Sequence, residues 1–267
     1  MSLTRSLSSP AARTAATEAA GDPGHRLLLA FDLDGTLAPI ASRPESARVS
    51  KATLALLARA AELPRVRVAI VSARPLRDLK RLVPTARVAR IAQYGLEGLL
   101  APSVPMRRRL RRAARVIGVR LRPLVALYRG AFIEPKGLSV AVHHRALSAR
   151  RRASLLRRLL LVEREALADG FGSQLGDRVH DFVPLGYDKG RALDALRARF
   201  RPDATIFFGD SAGDEPAFAA LAPADISVRV GPGPTAARFR VRGTRDVARF
   251  VRALVAGRTQ GPSSRRR

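Results

Sequence analysis

Leu27-Leu28-Leu29-Ala30-Phe31-Asp32-Leu33-Asp34-Gly35-Thr36-Leu37 is an apolar run that stops at two carboxylates and a glycine. The run reads as a buried strand. In an extended strand, side chains two residues apart point the same way, so Asp32 and Asp34 can converge on one ligand. Gly35 supplies a turn, and the carboxyl end of a strand is where open parallel sheets carry their active sites. A metal-assisted phosphoryl site fits this arrangement. Ordinary loop carboxylates or a helix cap are the alternative for a bare Asp-x-Asp, and the Gly-Thr-Leu extension behind a buried strand weighs against it.

Other apolar runs also end on polar groups. Val66 to Val71 stops at Ser72-Ala73-Arg74-Pro75, where a hydroxyl and its neighbouring amides can hold a phosphate oxygen, although a serine there is also a common helix cap. Val88 to Ala92 leads into Gln93-Tyr94-Gly95-Leu96-Glu97-Gly98. Asp188 is placed to cap a helix with Leu193, Leu196 and Phe200 on its inward face. Lys189 then lies in the first turn, where a cation is unfavourable to the helix dipole unless it meets an anion. Finally, Thr205 to Phe208 runs into Gly209-Asp210-Ser211-Ala212-Gly213-Asp214-Glu215. Together with Asp32, these acids offer the oxygen-rich shell that a hard cation such as magnesium prefers.

Taken in order, the segments at Asp32, Ser72, Lys189 and Asp210 resemble the four core motifs of the haloacid dehalogenase superfamily of phosphohydrolases, and the longer stretch Phe31 to Ile40 is similar to its trehalose-6-phosphate phosphatase branch. The resemblance covers about residues 26 to 255. It implies an α/β fold: a Rossmann-like core whose parallel sheet is flanked by helices, in residues 26–100 and 181–256, with a smaller α/β cap inserted at 101–180. It further implies Asp32 as a nucleophile that forms an aspartyl-phosphate and Asp34 as acid and base. Ser72 and Lys189 would hold phosphate oxygens, and Arg74 would reach the sugar. Mg2+ would sit at Asp32, Asp34 (through its backbone carbonyl), Asp210 and Asp214, the last either directly or one layer out.

Residues 101 to 180 change character. Met106, Leu110, Ala113, Ile117 and Leu121 recur at helical spacing with arginines on the other faces. A second helix is expected over about Ser148 to Asp169, with Leu156, Leu159, Leu160 and Leu167 inward. Strands are expected at 131–133 and 138–142, joined by Glu134-Pro135-Lys136-Gly137, then near Phe171 and at 179–183. The hairpin from Ile133 to Arg145 is similar to the branch's cap signature, Glu-x-Lys followed by His-Tyr-Arg. That similarity implies Glu134, Lys136, His143 and Arg145 as sugar-binding residues; on its own, the hairpin reads rather as a solvated turn pair of Glu134 and Lys136 beside a buried His143. The sequence departs from the branch at Tyr94, where it usually has His, and at Val183, where Glu-x-Arg-Pro usually places Arg. Both departures keep another sugar phosphate open as the substrate.

The 46% apolar content is enough for a genuine core. With no cysteine, thiolate metal sites and disulfides are excluded. No apolar stretch approaches the ~20 residues that span a bilayer, and a soluble, cytoplasmic protein without a secretory leader is expected. The formal charge of +27 demands a rival, a basic nucleic-acid-binding protein on a repurposed fold. Only Lys51, Lys80, Lys136 and Lys189 are lysine among 49 cationic residues. Arginine written wherever a cation is tolerated explains the excess, so nucleic acid and membrane are not expected as partners. The expected partner is the sugar phosphate trehalose 6-phosphate, with a functional link to a trehalose-phosphate synthase. Residues 1–25 and 257–267 read as a disordered N-terminal tail and a basic disordered C-terminal tail.

Overall fold

A computed structural model describes residues 24–259 and the backbone of the short strand Arg5–Ser6. The tails expected to be disordered fall largely outside these residues. Where they overlap, Arg5–Ser6 (β1) pairs in parallel with a strand near the C-terminus, and the last helix runs to Thr259.

The opening stretch forms β2 (Leu27–Phe31), with all five residues buried. It lies inside a seven-stranded sheet with β3 (Val66–Val71), β4 (Ala89–Ile91), β9 (Ala204–Gly209), β10 (Ile226–Val230) and β11 (Phe239–Val241), in the order β1-β11-β10-β9-β2-β3-β4. Every pairing is parallel. Alternation along β2 explains its uniform burial. Leu27, Leu29 and Phe31 face the helices α1 (Lys51–Glu62) and α7 (Thr244–Thr259), whose Leu57, Phe250 and Leu254 pack on them. Leu28 and Ala30 face α5 (Lys189–Phe200) and α6 (Glu215–Ala220), through Leu193, Leu196 and Phe218. A parallel sheet covered on both faces needs such a continuous apolar strand. The short α2 (Leu76–Leu82) lies on the face of α1 and α7, with Leu79 and Leu82 in the same cluster.

The chain steps from β2 to β3 on one side, and β9 later returns on the other. The order reverses at β2, so a crevice opens at its carboxyl end. Asp32, Ser72 and Asp210 follow β2, β3 and β9 directly.

Between β4 and α5 a second, antiparallel sheet is inserted, in the order β5-β6-β8-β7: β5 (Phe132–Pro135), β6 (Val140–His143), β7 (Phe171–Gly176) and β8 (Val179–Pro184). One face is covered by α3 (Val104–Ala126) and α4 (Ala149–Ala168). Four details differ from the sequence reading. Strand β5 continues through Glu134 and Pro135, so the turn is Lys136 to Ser139, closed by Lys136 N–H on the Ser139 carbonyl at 3.0 Å. Strand β8 carries the second sheet through Asp181 to Pro184, which were expected to open the returning core. The buried stripe of α4 is Leu155, Leu159 and Ala166, whereas Leu160 and Leu167 are exposed. On α3, Leu110, Ala114, Ile117, Leu121 and Val125 turn inward and Met106 is exposed. Arg107, Arg111, Arg115 and Arg122 lie exposed on the same helix. Among the described residues no helix is long and apolar enough to cross a membrane.

Candidate active site

Asp32 N–H donates to the Phe208 carbonyl at 2.8 Å, carrying the β2–β9 ladder one residue past the strand and fixing where the side chain leaves the sheet. Lys189 Nζ then donates to Asp32 Oδ1 and to Asp214 Oδ1, each at 2.7 Å. This explains the cation at the amino end of α5: two carboxylates sit against it. Asp188 caps the same helix through Arg191 N–H at 2.8 Å. Burial opposes the ammonium of Lys189, but Asp214 and Asp32 outweigh it and hold its pKa above the ordinary range.

Asp214 is wholly buried. Its Oδ2 accepts from Asp210 N–H at 3.0 Å, Ser211 N–H at 2.9 Å and Ser211 Oγ at 3.0 Å. Both oxygens are thus committed to the protein, so Asp214 braces the loop and Lys189. Asp210 projects instead toward the β2 turn, and a ligand oxygen from each of Asp32, Asp210 and Asp214 lies within 4.8 Å of the others. Burial, then the Asp214 and Asp34 charges, push the Asp32 carboxyl up to about 7 against Lys189. Burial and the neighbouring Asp32 and Asp214 push Asp210 up to about 9. One ammonium does not neutralise this cluster. An all-oxygen set carrying surplus negative charge fits a hard divalent cation.

Gly35 makes that approach possible. It has φ +81°, and a Cβ there would fall inside the Asp210 carboxylate. Gly35→Ala therefore faces left-handed backbone strain of ~1–2 kcal/mol and must also displace Asp210. We expect turnover to fall at least about a hundredfold and the half-saturating magnesium concentration to rise; wild-type magnesium dependence would refute this role.

Ser72 follows β3 and lines the crevice beside Asp32 and Lys189; its Oγ accepts from Arg74 N–H at 3.3 Å. Glu97 steadies this loop, accepting from Leu76 N–H at 2.6 Å and so capping α2. Arg74, expected at the sugar, lines the same crevice and is held against Asp34. Its Nε and Nη2 hold Asp34 Oδ2 and Oδ1 at 2.6 and 2.8 Å, and its Nη1 donates to the Pro44 carbonyl at 2.9 Å. A bidentate carboxylate clamp uses the planar guanidinium fully.

The cap supplies the opposite wall. Glu134, Ala141 and Asp181 stand side by side across β5, β6 and β8, and His143 lies two residues along on the same face. This face is turned away from α3 and α4, so its polar groups meet the core crevice. Glu134 Oε2 and His143 Nε2 are 2.7 Å apart, and Lys136 Nζ donates to Asp181 Oδ1 at 2.5 Å. Burial would raise the Glu134 pKa, but the hydrogen bond with His143 and the Lys136 charge bring it below the ordinary value. Arg145 pairs with Asp177 Oδ2 at 2.9 Å. All the residues expected at the site except Asp214 line one crevice, and Asp214 lies directly beneath it. The sequence reading missed Asp181, Asp177 and the part played by Tyr94. Asp181 carried no local signal, since Val179-His180-Asp181-Phe182-Val183 does not alternate between apolar and polar residues.

A model of the trehalose-phosphatase family matches residues 30–248. Trehalose-6-phosphate phosphatase of Escherichia coli (strain K12) is 30% identical over 236 residues, covering 86% of this chain and 87% of that protein. The bifunctional trehalose-6-phosphate synthase/phosphatase of Thermoproteus tenax is 31% identical over 242 residues, 85% of this chain and 32% of its own length. The chain spans about a third or less of several curated relatives it matches. A crystal structure described as a trehalose-6-phosphate phosphatase related protein superposes with a TM-score of 0.71 at 26% identity, covering 87% of this chain and 99% of that one.

Proposed function

The chain belongs to the trehalose-phosphatase family, and from that membership and the crevice we propose that it hydrolyses trehalose 6-phosphate to trehalose and inorganic phosphate. The observation that carries this is two constellations facing one another across one crevice. A carboxylate cluster with a buried lysine lies on the core, and the Glu134–His143 and Lys136–Asp181 pairs lie on the cap.

Asp32 has Oδ1 held by Lys189, which leaves Oδ2 to attack phosphorus. The new bond runs from Oδ2 to phosphorus, the bond from phosphorus to the sugar oxygen breaks, and protonated Asp34 delivers its proton to that oxygen. To do so, the Asp34 carboxyl must turn from Arg74 toward the leaving group. In the second step Asp34 takes a proton from water, the water oxygen bonds to phosphorus, and the bond to Asp32 breaks to restore the carboxylate. Ser72 and Lys189 bind the non-bridging oxygens, and the cap excludes bulk water while its carboxylates and Lys136 bind sugar hydroxyls. Asp32 and Asp210, with the backbone carbonyl of Asp34, would hold magnesium, and Asp214 would orient Lys189 and the loop. When bound, the ion neutralises phosphate charge that otherwise repels the nucleophile.

A link to a synthase as the preceding step is supported by the Thermoproteus tenax relative, whose name joins the two activities. The test is phosphate release from trehalose 6-phosphate, glucose 6-phosphate and sucrose 6-phosphate with magnesium and with chelator. At least a tenfold preference in kcat/KM for trehalose 6-phosphate is expected, with chelation abolishing release. Preference for another ester moves the substrate while keeping the chemistry.

A further inference from the structure

The turn after β4 has unusual backbone. Gln93 and Tyr94 have φ of 46° and 59°, and both are buried. Two consecutive non-glycine residues in this region cost strain that persists only where surrounding contacts over-determine it, commonly at functional sites. Those contacts run both ways. Toward the core, Gln93 N–H donates to the Arg74 carbonyl at 3.0 Å and Tyr94 N–H to the Ser72 carbonyl at 3.1 Å. Toward the cap, Gln93 Oε1 accepts from Ser139 Oγ at 2.8 Å, and the Tyr94 hydroxyl donates to Asp181 Oδ2 at 2.9 Å.

Tyr94 therefore joins the phosphate-side loop to the cap within one residue. Its phenol and Lys136 grip opposite oxygens of Asp181, and the Tyr94 ring lines the crevice. An ionised carboxylate has about four acceptor positions, so two remain for sugar hydroxyls. Burial and the Asp181 charge keep the phenol protonated, and hence a donor, far above the ordinary tyrosine range.

We propose that Tyr94 is a specificity-determining positioning residue, a core side chain that fixes Asp181 and through it Lys136 against the sugar. The inference rests on the substrate class assigned above. Selectivity for a polyhydroxylated leaving group then depends on a hydrogen bond between core and cap, formed only with the cap seated on the core.

The experiment is a kinetic cycle of wild type, Tyr94→Phe, Asp181→Asn and the double variant, assayed with magnesium on trehalose 6-phosphate and on p-nitrophenyl phosphate, whose leaving group has no sugar hydroxyls. Tyr94→Phe keeps the ring and leaves Asp181 paired with Lys136, so the fold is expected to persist, as checked by the unfolding midpoint. We expect the ratio of kcat/KM for trehalose 6-phosphate to that for the aryl ester to fall about tenfold, mainly through KM. The double variant is expected to be no worse than Asp181→Asn alone, since residues acting through one contact are not additive. An unchanged ratio, or additive losses, overturns the proposal. A wild type that cleaves the aryl ester yet does not favour trehalose 6-phosphate refutes the substrate assignment instead, and this inference falls with it.

Discussion

Asp32→Asn is expected to reduce turnover by at least about 10⁴, equivalent to ~5.5 kcal/mol in the barrier. An amide oxygen cannot displace the sugar from phosphorus and be released again by water as a carboxylate can. The substitution is nearly isosteric in a buried position, and it removes one negative charge from a cluster in which burial, then the neighbouring carboxylates, already push Asp210 up to about 9. Lys189 keeps Asp214 as a partner. The unfolding midpoint is therefore expected to stay within a few degrees of wild type while activity vanishes. Acid-quenched wild type should also yield a phosphorylated peptide containing Asp32, and the variant none. Substantial turnover by Asp32→Asn would falsify the nucleophile assignment.

Lys189→Met is expected to damage both activity and fold. The ammonium is buried and bridges Asp32 and Asp214. Removing one partner from a buried ionic cluster leaves uncompensated charge and typically costs about 3–5 kcal/mol. The cost here exceeds that of an apolar truncation because Asp214 also ties Ser211 and Asp210 in place. We expect a thousandfold or greater loss in turnover, and a denaturation midpoint that magnesium raises more in the variant than in wild type, because the ion then supplies the positive charge that Lys189 had placed between Asp32 and Asp214. Lys189→Arg, which keeps the charge but not the shape, is expected to recover part of the stability and little of the activity. A stability loss below about 1 kcal/mol would show that the bridge does not hold the site together.

These two residues were legible in sequence for different reasons. Asp32 and Asp34 follow a five-residue apolar run, and the geometry of an extended chain alone places them at the end of a buried strand. Lys189 stood out because a lysine in the first turn of a helix needs an anion nearby, although which anions could not be read locally. Asp32 lies 157 residues away and Asp214 lies 25. The phase of α4 was misread because Leu155, Leu156, Leu159, Leu160 and Leu161 form a stripe wide enough for two helical faces. Packing against Phe171 and Phe182 of the second sheet selects Leu155 and Leu159.

The same division holds across the site. The order of strands, the acids at their ends, the serine after β3 and the insertion of a mixed helix and strand segment follow from local hydrophobic periodicity and from residues that terminate it. Those signals act within a few positions of the chain. The pairings are another matter: Arg74 on Asp34, Lys136 on Asp181, Tyr94 on Asp181 and Asp214 beneath Lys189. They depend on sheet order and antiparallel register, which set Glu134, Ala141 and Asp181 side by side, and on how the cap seats on the core. The sequence by itself determined which chemical groups stand at the strand ends. Only the tertiary structure decided which charge neutralises which, because an ion pair or hydrogen bond depends on a few ångströms of separation between residues that can be 25 to 157 positions apart.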